Sequence, residues 1–146
     1  YAAMRAGAGL VTLGIPESIA TAIIKIKPKE AMTFPLPETS AGTLSLSGYK
    51  KIKDFVKNVD VLAIGPGLTQ NKSTQSLARK AISAIDKPMV IDADALNALV
   101  GHLDILRNTQ YAIRTTQYAC GPHPMLKEIA KISKEHNIFA HQQSLF

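Results

Sequence analysis

The chain has 146 residues, of which 46% are hydrophobic and 19% charged, which is ordinary for a globular protein of one domain. Its net charge is +6, but aromatic residues are not interleaved with basic ones, so we expect no nucleic-acid partner. No apolar run approaches the roughly 20 residues that span a membrane, and the single cysteine, Cys120, excludes an internal disulfide and fits a reducing cytoplasm.

The first part of the chain predicts alternating helices and strands. In order, these are a helix, a strand, a helix, an edge strand and a loop, at residues 1–8, 10–15, 17–26, 31–36 and 38–46. Pro35 and Pro37 place the second strand at a sheet edge, because proline cannot donate to a strand ladder. Ser47 is expected to cap the next helix, which runs to Asn58.

The middle of the chain predicts a βαβ unit. Residues 61–64 and the run that starts at Met89 are short and apolar without alternation, which is typical of parallel strands buried on both faces. Between them, residues 71–85 predict a helix with five apolar residues on one face: Leu77, Ala78, Ala81, Ile82 and Ile85. We expect the crossover to be right-handed.

The remainder predicts shorter elements. They are helices at residues 95–100 and 102–108, one or two strands within 111–120, a helix at 125–136 and a last strand at 138–140. With so few aromatic residues and no Trp, the core must be aliphatic. Two lysine clusters, near Lys25 and Lys53, predict a solvated helix face or, alternatively, attraction of an anionic ligand.

Gly65-Pro66-Gly67 lies between the first buried strand and the helix that follows. Glycine permits a tight turn and lets a ligand approach the main chain, and the helix start offers N–H groups to an anion. A tight turn that binds nothing is the alternative. The sequence matches neither a P-loop nor the dinucleotide GxGxxG pattern.

Asp92, Asp94 and Asn97 follow the second buried strand. Ligands of open α/β sheets bind beyond the carboxyl ends of the strands, so these residues and the Gly-Pro-Gly turn should share one edge. We expect Asp94 to cap the next helix, while Asp92 could orient a ligand hydroxyl or a hydrated metal ion. Asn97, one turn later, could cover the same edge.

His123, between two prolines, could donate to a phosphate or an amide, or it could be an ordinary turn residue. Cys120, before Gly121, is more typical of a buried small residue than of a nucleophile, since no base is near it in sequence.

Several motifs together resemble the ADP/ATP-dependent NAD(P)H-hydrate dehydratases. They are Arg5-Ala6-Gly7-Ala8-Gly9-Leu10-Val11-Thr12, Gly14-Ile15-Pro16-Glu17-Ser18, Met32-Thr33-Phe34-Pro35-Leu36-Pro37-Glu38-Thr39, Gly42-Thr43-Leu44-Ser45, Ala63-Ile64-Gly65-Pro66-Gly67-Leu68 and Val90-Ile91-Asp92-Ala93-Asp94-Ala95-Leu96-Asn97. The resemblance covers about residues 1–114.

The resemblance implies a ribokinase-like α/β fold, with an open, mostly parallel sheet and helices on both faces. It also implies repair of hydrated NAD(P)H, in which ATP or ADP with Mg²⁺ phosphorylates the added hydroxyl and phosphate then leaves. By position, Gly65, Gly67, Asp92 and Asn97 would line the substrate pocket, and His123 would contact the substrate. The family's Gly-Thr-Gly-Asp turn, which supplies the phosphate cradle and the base, is not in this sequence, so we assign no catalytic residue and expect weak or no activity.

Residues 118–127, through Cys120 and Gly121, are similar to the Cys-Gly-Pro-x-Pro-Met segment of ferredoxin-reductase-type NAD-binding domains. The stretch up to residue 141 resembles the electron-transfer subunit of dihydroorotate dehydrogenase. This predicts a single α/β domain over residues 1–146 with a join near 114–117, and Cys120 and Gly121 as nicotinamide-cofactor contacts. The flavin domain and cluster cysteines of that family are not in the sequence, so we expect neither FAD nor an iron–sulfur cluster.

Three functional hypotheses remain open. The first is a partial dehydratase domain that binds nucleotide small molecules. The second is an engineered or library-derived chimera with no native catalysis, folded as a homo-oligomer through open sheet edges. The third is a nicotinamide-binding redox module that uses Cys120.

Overall fold

The computed structural model describes residues 1–107, in which short helices alternate with four strands. The helices are α1 (Ala2–Arg5), α2 (Ala20–Ile26), α3 (Tyr49–Val56), α4 (Lys72–Ala84), α5 (Ala93–Ala98) and α6 (Asp104–Arg107). The strands are β1 (Thr12–Pro16), β2 (Met32–Leu36), β3 (Leu62–Ile64) and β4 (Met89–Ile91). Single 3₁₀ turns, Glu17–Ile19 and Leu46–Gly48, precede α2 and α3. The predicted elements beyond residue 108 lie outside the described residues.

The four strands pair in parallel, as α/β connections require. β1 pairs with β2, with Thr12 opposite Met32, and β3 pairs with β4, with Leu62 opposite Met89. The predicted α/β class with parallel strands is confirmed. Among the strands of residues 1–107, the two pairs form separate sheets and not one continuous sheet.

The core of the second strand pair is aliphatic, as predicted for a chain poor in aromatic residues. All five residues of the predicted apolar face of α4 are buried, and Ile82 has no exposed surface. The buried cluster comprises Val56, Ala81, Ile82, Ile85, Met89, Ile91, Ala95, Leu99 and Leu106. Burial of one such side chain stabilises the fold by about 1.5–3 kcal/mol, so this cluster fixes β3, β4 and α4 together.

The expectation that both strands of this pair are buried on both faces holds only in part. Met89 and Ile91 of β4 are buried, but Ala63, at the centre of β3, is exposed. The reason is that the described chain covers one face of this short, two-stranded sheet and leaves the opposite face of β3 open.

The two strand pairs are joined through side chains on β2, α3 and α4. Phe34 of β2 stacks on Phe55 of α3, with ring centroids 4.4 Å apart. The hydroxyl of Thr74, which is fully buried on α4, donates to the Leu44 carbonyl at 2.7 Å and lies 3.0 Å from the Thr43 hydroxyl. The 38–45 loop, which follows β2, is thereby fixed to the helix that follows β3.

The lysines of the two predicted clusters mostly agree with a solvated helix face. Lys53 of α3 and Lys57, which directly follows α3, are exposed, and Lys57 pairs with Asp54 at 2.8 Å. Lys27 differs, since its half-buried ammonium donates to the carbonyls of Pro28 and Ala31 just after α2 ends. Lys27 therefore satisfies backbone groups at a helix end.

Two predicted caps are wrong by two residues. Ser45, and not Ser47, accepts a backbone bond, from the Ser47 amide at 3.3 Å. The cap moves because the chain makes a 3₁₀ turn before α3. Asp92, and not Asp94, occupies the N-cap of α5, where its side chain accepts from the Ala93 amide at 2.8 Å. Here the helix starts directly at the end of β4, which leaves no room for a longer loop.

Candidate functional site

Residues 65–68 form a tight turn at the carboxyl end of β3. The Leu68 amide donates to the Gly65 carbonyl at 3.1 Å, and Gly67 has a φ of 77°. Pro66 at the second position and a glycine with positive φ at the third are the residues that a type II turn requires. The predicted turn is therefore present, and its Gly67 peptide is at the exposed tip.

Gly65 brings this turn into contact with the segment that follows β4. Its φ is 137°, and a Cβ added there would lie 1.7 Å from the Asp92 carbonyl oxygen and 2.6 Å from the carbonyl carbon. The Asp92 amide also donates to the Ile64 carbonyl at 3.1 Å. Two main chains touch here with no space for a side chain, which explains why glycine follows β3.

Gly67, unlike Gly65, has open space around its main chain. A Cβ added at Gly67 would find no heavy atom within 4 Å. The main chain at the tip of the turn is thus open to approach from outside, next to a wall that Gly65 and Asp92 hold rigid. A flat, polar ring could lie against such a surface and bond to its peptide groups.

Asp94 and Asn97, on the first turns of α5, lie on the same edge. Asp94 accepts a hydrogen bond from the Thr69 amide at 2.9 Å and one from the Asn97 side-chain nitrogen at 3.2 Å. Asp94 therefore ties the loop after β3 to α5. This loop-binding role replaces the helix cap that we expected of Asp94.

The structure thus brings four of the seven predicted site residues to one edge: Gly65, Gly67, Asp92 and Asn97. The other three, Cys120, Gly121 and His123, lie outside the described residues. Sequence reasoning missed Thr69, which has a φ of 69° and is held by Asp94. No signal in the sequence could have revealed it, because a β-branched residue rarely adopts a positive φ.

The helix after this loop begins later than the turn itself. α4 starts at Lys72, and Asn71 caps it by accepting from the Ser73 amide at 2.9 Å. The Ser73 hydroxyl in turn accepts from the Leu46 amide at 3.0 Å. We expected the N–H groups at this helix start to be open to an anion. One of them, the Ser73 amide, already donates to the cap residue Asn71.

Glu38, the first residue of the 38–45 loop, is bound by Ser18, which follows β1. Its carboxylate accepts from the Ser18 hydroxyl at 2.7 Å and from the Ser18 amide at 3.0 Å. These hydrogen bonds hold the pKa of Glu38 below its ordinary value, because they stabilise the charged form. The bond from the Ser18 hydroxyl lowers this pKa more than the bond from the Ser18 amide does.

Within residues 1–107, no three His, Cys, Asp or Glu side chains lie close enough together to hold a metal ion. In the same range, no helix is both long and apolar enough to cross a membrane.

Comparison with known proteins places these features in a family. A family model described as NAD(P)H-hydrate dehydratase matches residues 1–144. The match continues past the join that we predicted near residues 114–117, so the comparisons do not support a change of family there, and the chimera is not supported.

Two relatives illustrate the similarity. The bifunctional NAD(P)H-hydrate repair enzyme Nnr of Moorella thermoacetica is 41% identical over 123 residues, which are 84% of this chain and 22% of that enzyme. The ADP-dependent (S)-NAD(P)H-hydrate dehydratase of Xanthomonas campestris is 32% identical over 96 residues, 66% of this chain and 32% of that enzyme. The chain thus spans about a fifth to a third of the length of these relatives.

A solved structure shows the same fold. A ribokinase-like superfamily protein from Enterococcus faecalis aligns with a TM-score of 0.66 and 18% identity, over 98% of this chain and 50% of that one. The ribokinase-like α/β fold expected from the resemblance is therefore confirmed.

Proposed function

Because this chain belongs to the NAD(P)H-hydrate dehydratase family, we propose that residues 65–68 and 92–97 form one wall of a pocket for hydrated NAD(P)H. The reaction that the family implies transfers a phosphoryl group from ADP or ATP to the added hydroxyl of the ring. Phosphate then leaves with that oxygen, and loss of a ring proton restores the dihydronicotinamide ring of NAD(P)H. Hydrated NAD(P)H and ADP or ATP are accordingly the proposed small-molecule partners.

The contact between Gly65 and Asp92 carries this proposal. It fixes a rigid main-chain wall, beside which the Gly67 peptide is open. A rigid wall orients the ring without reorganisation when the hydrate binds, which is the part that these residues would play in catalysis. Mg²⁺ would neutralise charge on the transferred phosphate when bound. Such an ion is usually held by water, substrate phosphates and one or two carboxylates.

The side chains at this edge suit a hydroxylated ring that carries a carboxamide. Asp92 and Asn97 are half-buried beside the turn. A carboxylate accepts from hydroxyl and amide donors, and an amide both donates and accepts. We therefore assign the hydroxyl and the carboxamide of the hydrate, and not its phosphates, to this wall.

The test compares two glycine variants by calorimetric titration with hydrated NADPH. In Gly67→Ala, a methyl group intrudes on the open tip and binding should weaken at least tenfold. Gly101→Ala is the matched control, because Gly101 is also exposed, has a φ of 75° and has no atom near its added Cβ. Both variants should lose about 1 kcal/mol of folding stability from the left-handed backbone.

Equal weakening in both variants, or no binding by the unchanged chain, would contradict the proposal. A second assay follows recovery of absorbance at 340 nm from hydrated NADPH with ADP or ATP, and it tests whether this chain catalyses the repair as well as binding its substrate.

Two further proposals concern the setting of this activity. The single cysteine supports a reducing compartment such as the cytoplasm.

Exposed apolar side chains on the first strand pair and α2 support a homo-oligomer: Leu13, Ile24, Ile26 and Met32. Light scattering at several protein concentrations tests the second point, and a monomer at all of them would refute it.

A further inference from the structure

Thr69 adopts a backbone conformation that its own side chain disfavours. Its φ is 69°, and a β-branched residue with positive φ persists only when its surroundings impose it. Thr69 is exposed, so burial does not impose this conformation. Another contact must therefore hold the loop.

Asp94 supplies that contact. One carboxylate oxygen accepts from the Thr69 amide at 2.9 Å, and the other accepts from the Asn97 side chain at 3.2 Å. Hydrogen bonds to a charged acceptor are about twice as strong as neutral ones. Because Asp94 and Asn97 are both on α5, the bond to Thr69 anchors the loop to a fixed helix across 25 residues of sequence.

The residue before Asp94 is strained as well. Ala93 has a φ of 46°, directly after the point where Asp92 packs on Gly65. The two loops at this edge thus hold each other at two points, one between main chains and one through the Asp94 carboxylate. The exposed peptide of Gly67 lies between these points, within the same loop.

We propose that Asp94 is a positioning residue, whose carboxylate holds the loop of residues 65–69 in the conformation that binds the nicotinamide ring. Asp94 does not touch the substrate in this account; it acts through Thr69. This inference rests on the proposed function for its ligand, but the holding of the loop is a separate, measurable property.

The test uses Asp94→Ala and Asp94→Asn. Asp94→Ala removes both hydrogen bonds and should weaken binding of hydrated NADPH about tenfold, whereas Asp94→Asn keeps an acceptor for the Thr69 amide and should restore most of the affinity. Asp54→Ala on α3 is the matched control, because it removes an exposed carboxylate of equal charge from a different part of the molecule. It should bind as the unchanged chain does.

A second readout needs no ligand. The amides of Leu68 and Thr69 donate to the Gly65 carbonyl and to Asp94. Their hydrogen exchange should become at least tenfold faster in Asp94→Ala and remain unchanged in Asp54→Ala. If Asp94→Ala does not fold, Asp94→Asn carries the measurement, with a smaller increase expected at Thr69.

Three results separate the possibilities. Weaker binding with faster exchange in Asp94→Ala supports the proposal, and wild-type binding by Asp94→Ala overturns it. If the unchanged chain does not bind hydrated NADPH, the proposed function fails, and exchange alone decides whether Asp94 holds the loop; unchanged exchange then overturns the inference too.

Discussion

Gly65 is the residue on which the geometry of the candidate site depends most directly. Its absent side chain is what allows the turn after β3 to touch Asp92, since an added Cβ would lie 1.7 Å from a carbonyl oxygen of the main chain. Main-chain atoms in a packed joint cannot move aside as a flexible side chain can. Glycine is therefore needed at this position both for the close approach of the two main chains and for its backbone conformation.

We predict that Gly65→Ala destabilises the fold by about 3 kcal/mol or more, because it combines a main-chain clash with a φ that alanine disfavours. Urea unfolding of the 146-residue chain measures this. Gly9→Ala is the control, since an added Cβ there meets nothing within 4 Å and its φ is not positive. Equal stability of the two variants would show that the main-chain contact between Gly65 and Asp92 is not as tight as described.

Glu38 gives a pH prediction. Its pKa is lowered by hydrogen bonds from Ser18, so its charged form contributes stability above the pKa of the unfolded chain. That contribution is lost as the pH falls through the lower pKa of the folded state. Ser18→Ala removes the hydroxyl donor but keeps the amide, and we expect the Glu38 pKa to rise towards its ordinary value.

A carboxyl NMR titration of Glu38 in Ser18→Ala checks this. Ser40→Ala, an exposed serine in the same loop, is the control and should leave the Glu38 pKa in place. A Glu38 pKa that does not move in Ser18→Ala would mean that the hydroxyl bond is not formed in solution.

Among the elements, α4 shows what the sequence could and could not predict. The spacing of Leu77, Ala81 and Ile82 predicts a helix with one buried face, and the structure confirms this face. Thr74 could not be foreseen, because a threonine within a helix does not indicate whether its hydroxyl will meet solvent or a loop 30 residues away. Its role follows only from how the 38–45 loop packs on α4.

We predict that Thr74→Val destabilises the fold by about 1–3 kcal/mol, although the two side chains have nearly the same shape. The change leaves the half-buried Leu44 carbonyl without its donor. Thermal unfolding measures the effect against Thr33→Val, a half-buried threonine on β2 that should change stability by less than about 0.5 kcal/mol. A stable Thr74→Val variant would show that this bond does not fix the loop.

The residue at which a helix begins is harder to predict from the sequence than the face that the helix buries. Apolar periodicity is an average over many residues, whereas a cap depends on one residue and its backbone angles. Ser45 and Asp92 take the caps expected of Ser47 and Asp94 because a 3₁₀ turn and a short connection after β4 move the helix starts. At the site, Asp92 takes the cap that we expected of Asp94, and Asp94 binds the Thr69 amide instead.

For the whole molecule, the sequence predicted the parallel α/β class and placed the turn after β3 beside Asp92. It could not predict that the strands of residues 1–107 separate into two pairs, since strand pairing depends on contacts that periodicity does not encode. The family model, which runs through residue 144, gives no support to the change of family expected near residues 114–117. That expectation relied on residues 118–141, whereas the family match extends along the chain.

We propose that the edge formed by the 65–69 loop and residues 92–97 binds the hydrated nicotinamide ring. Backbone amide NMR of the 146-residue chain during titration with hydrated NADPH tests it most directly. We predict saturable shifts at Gly67, Leu68, Asp92 and Asn97, with the amides of α3 unmoved. Saturable shifts confined to other parts of the chain, or none at all, would contradict it.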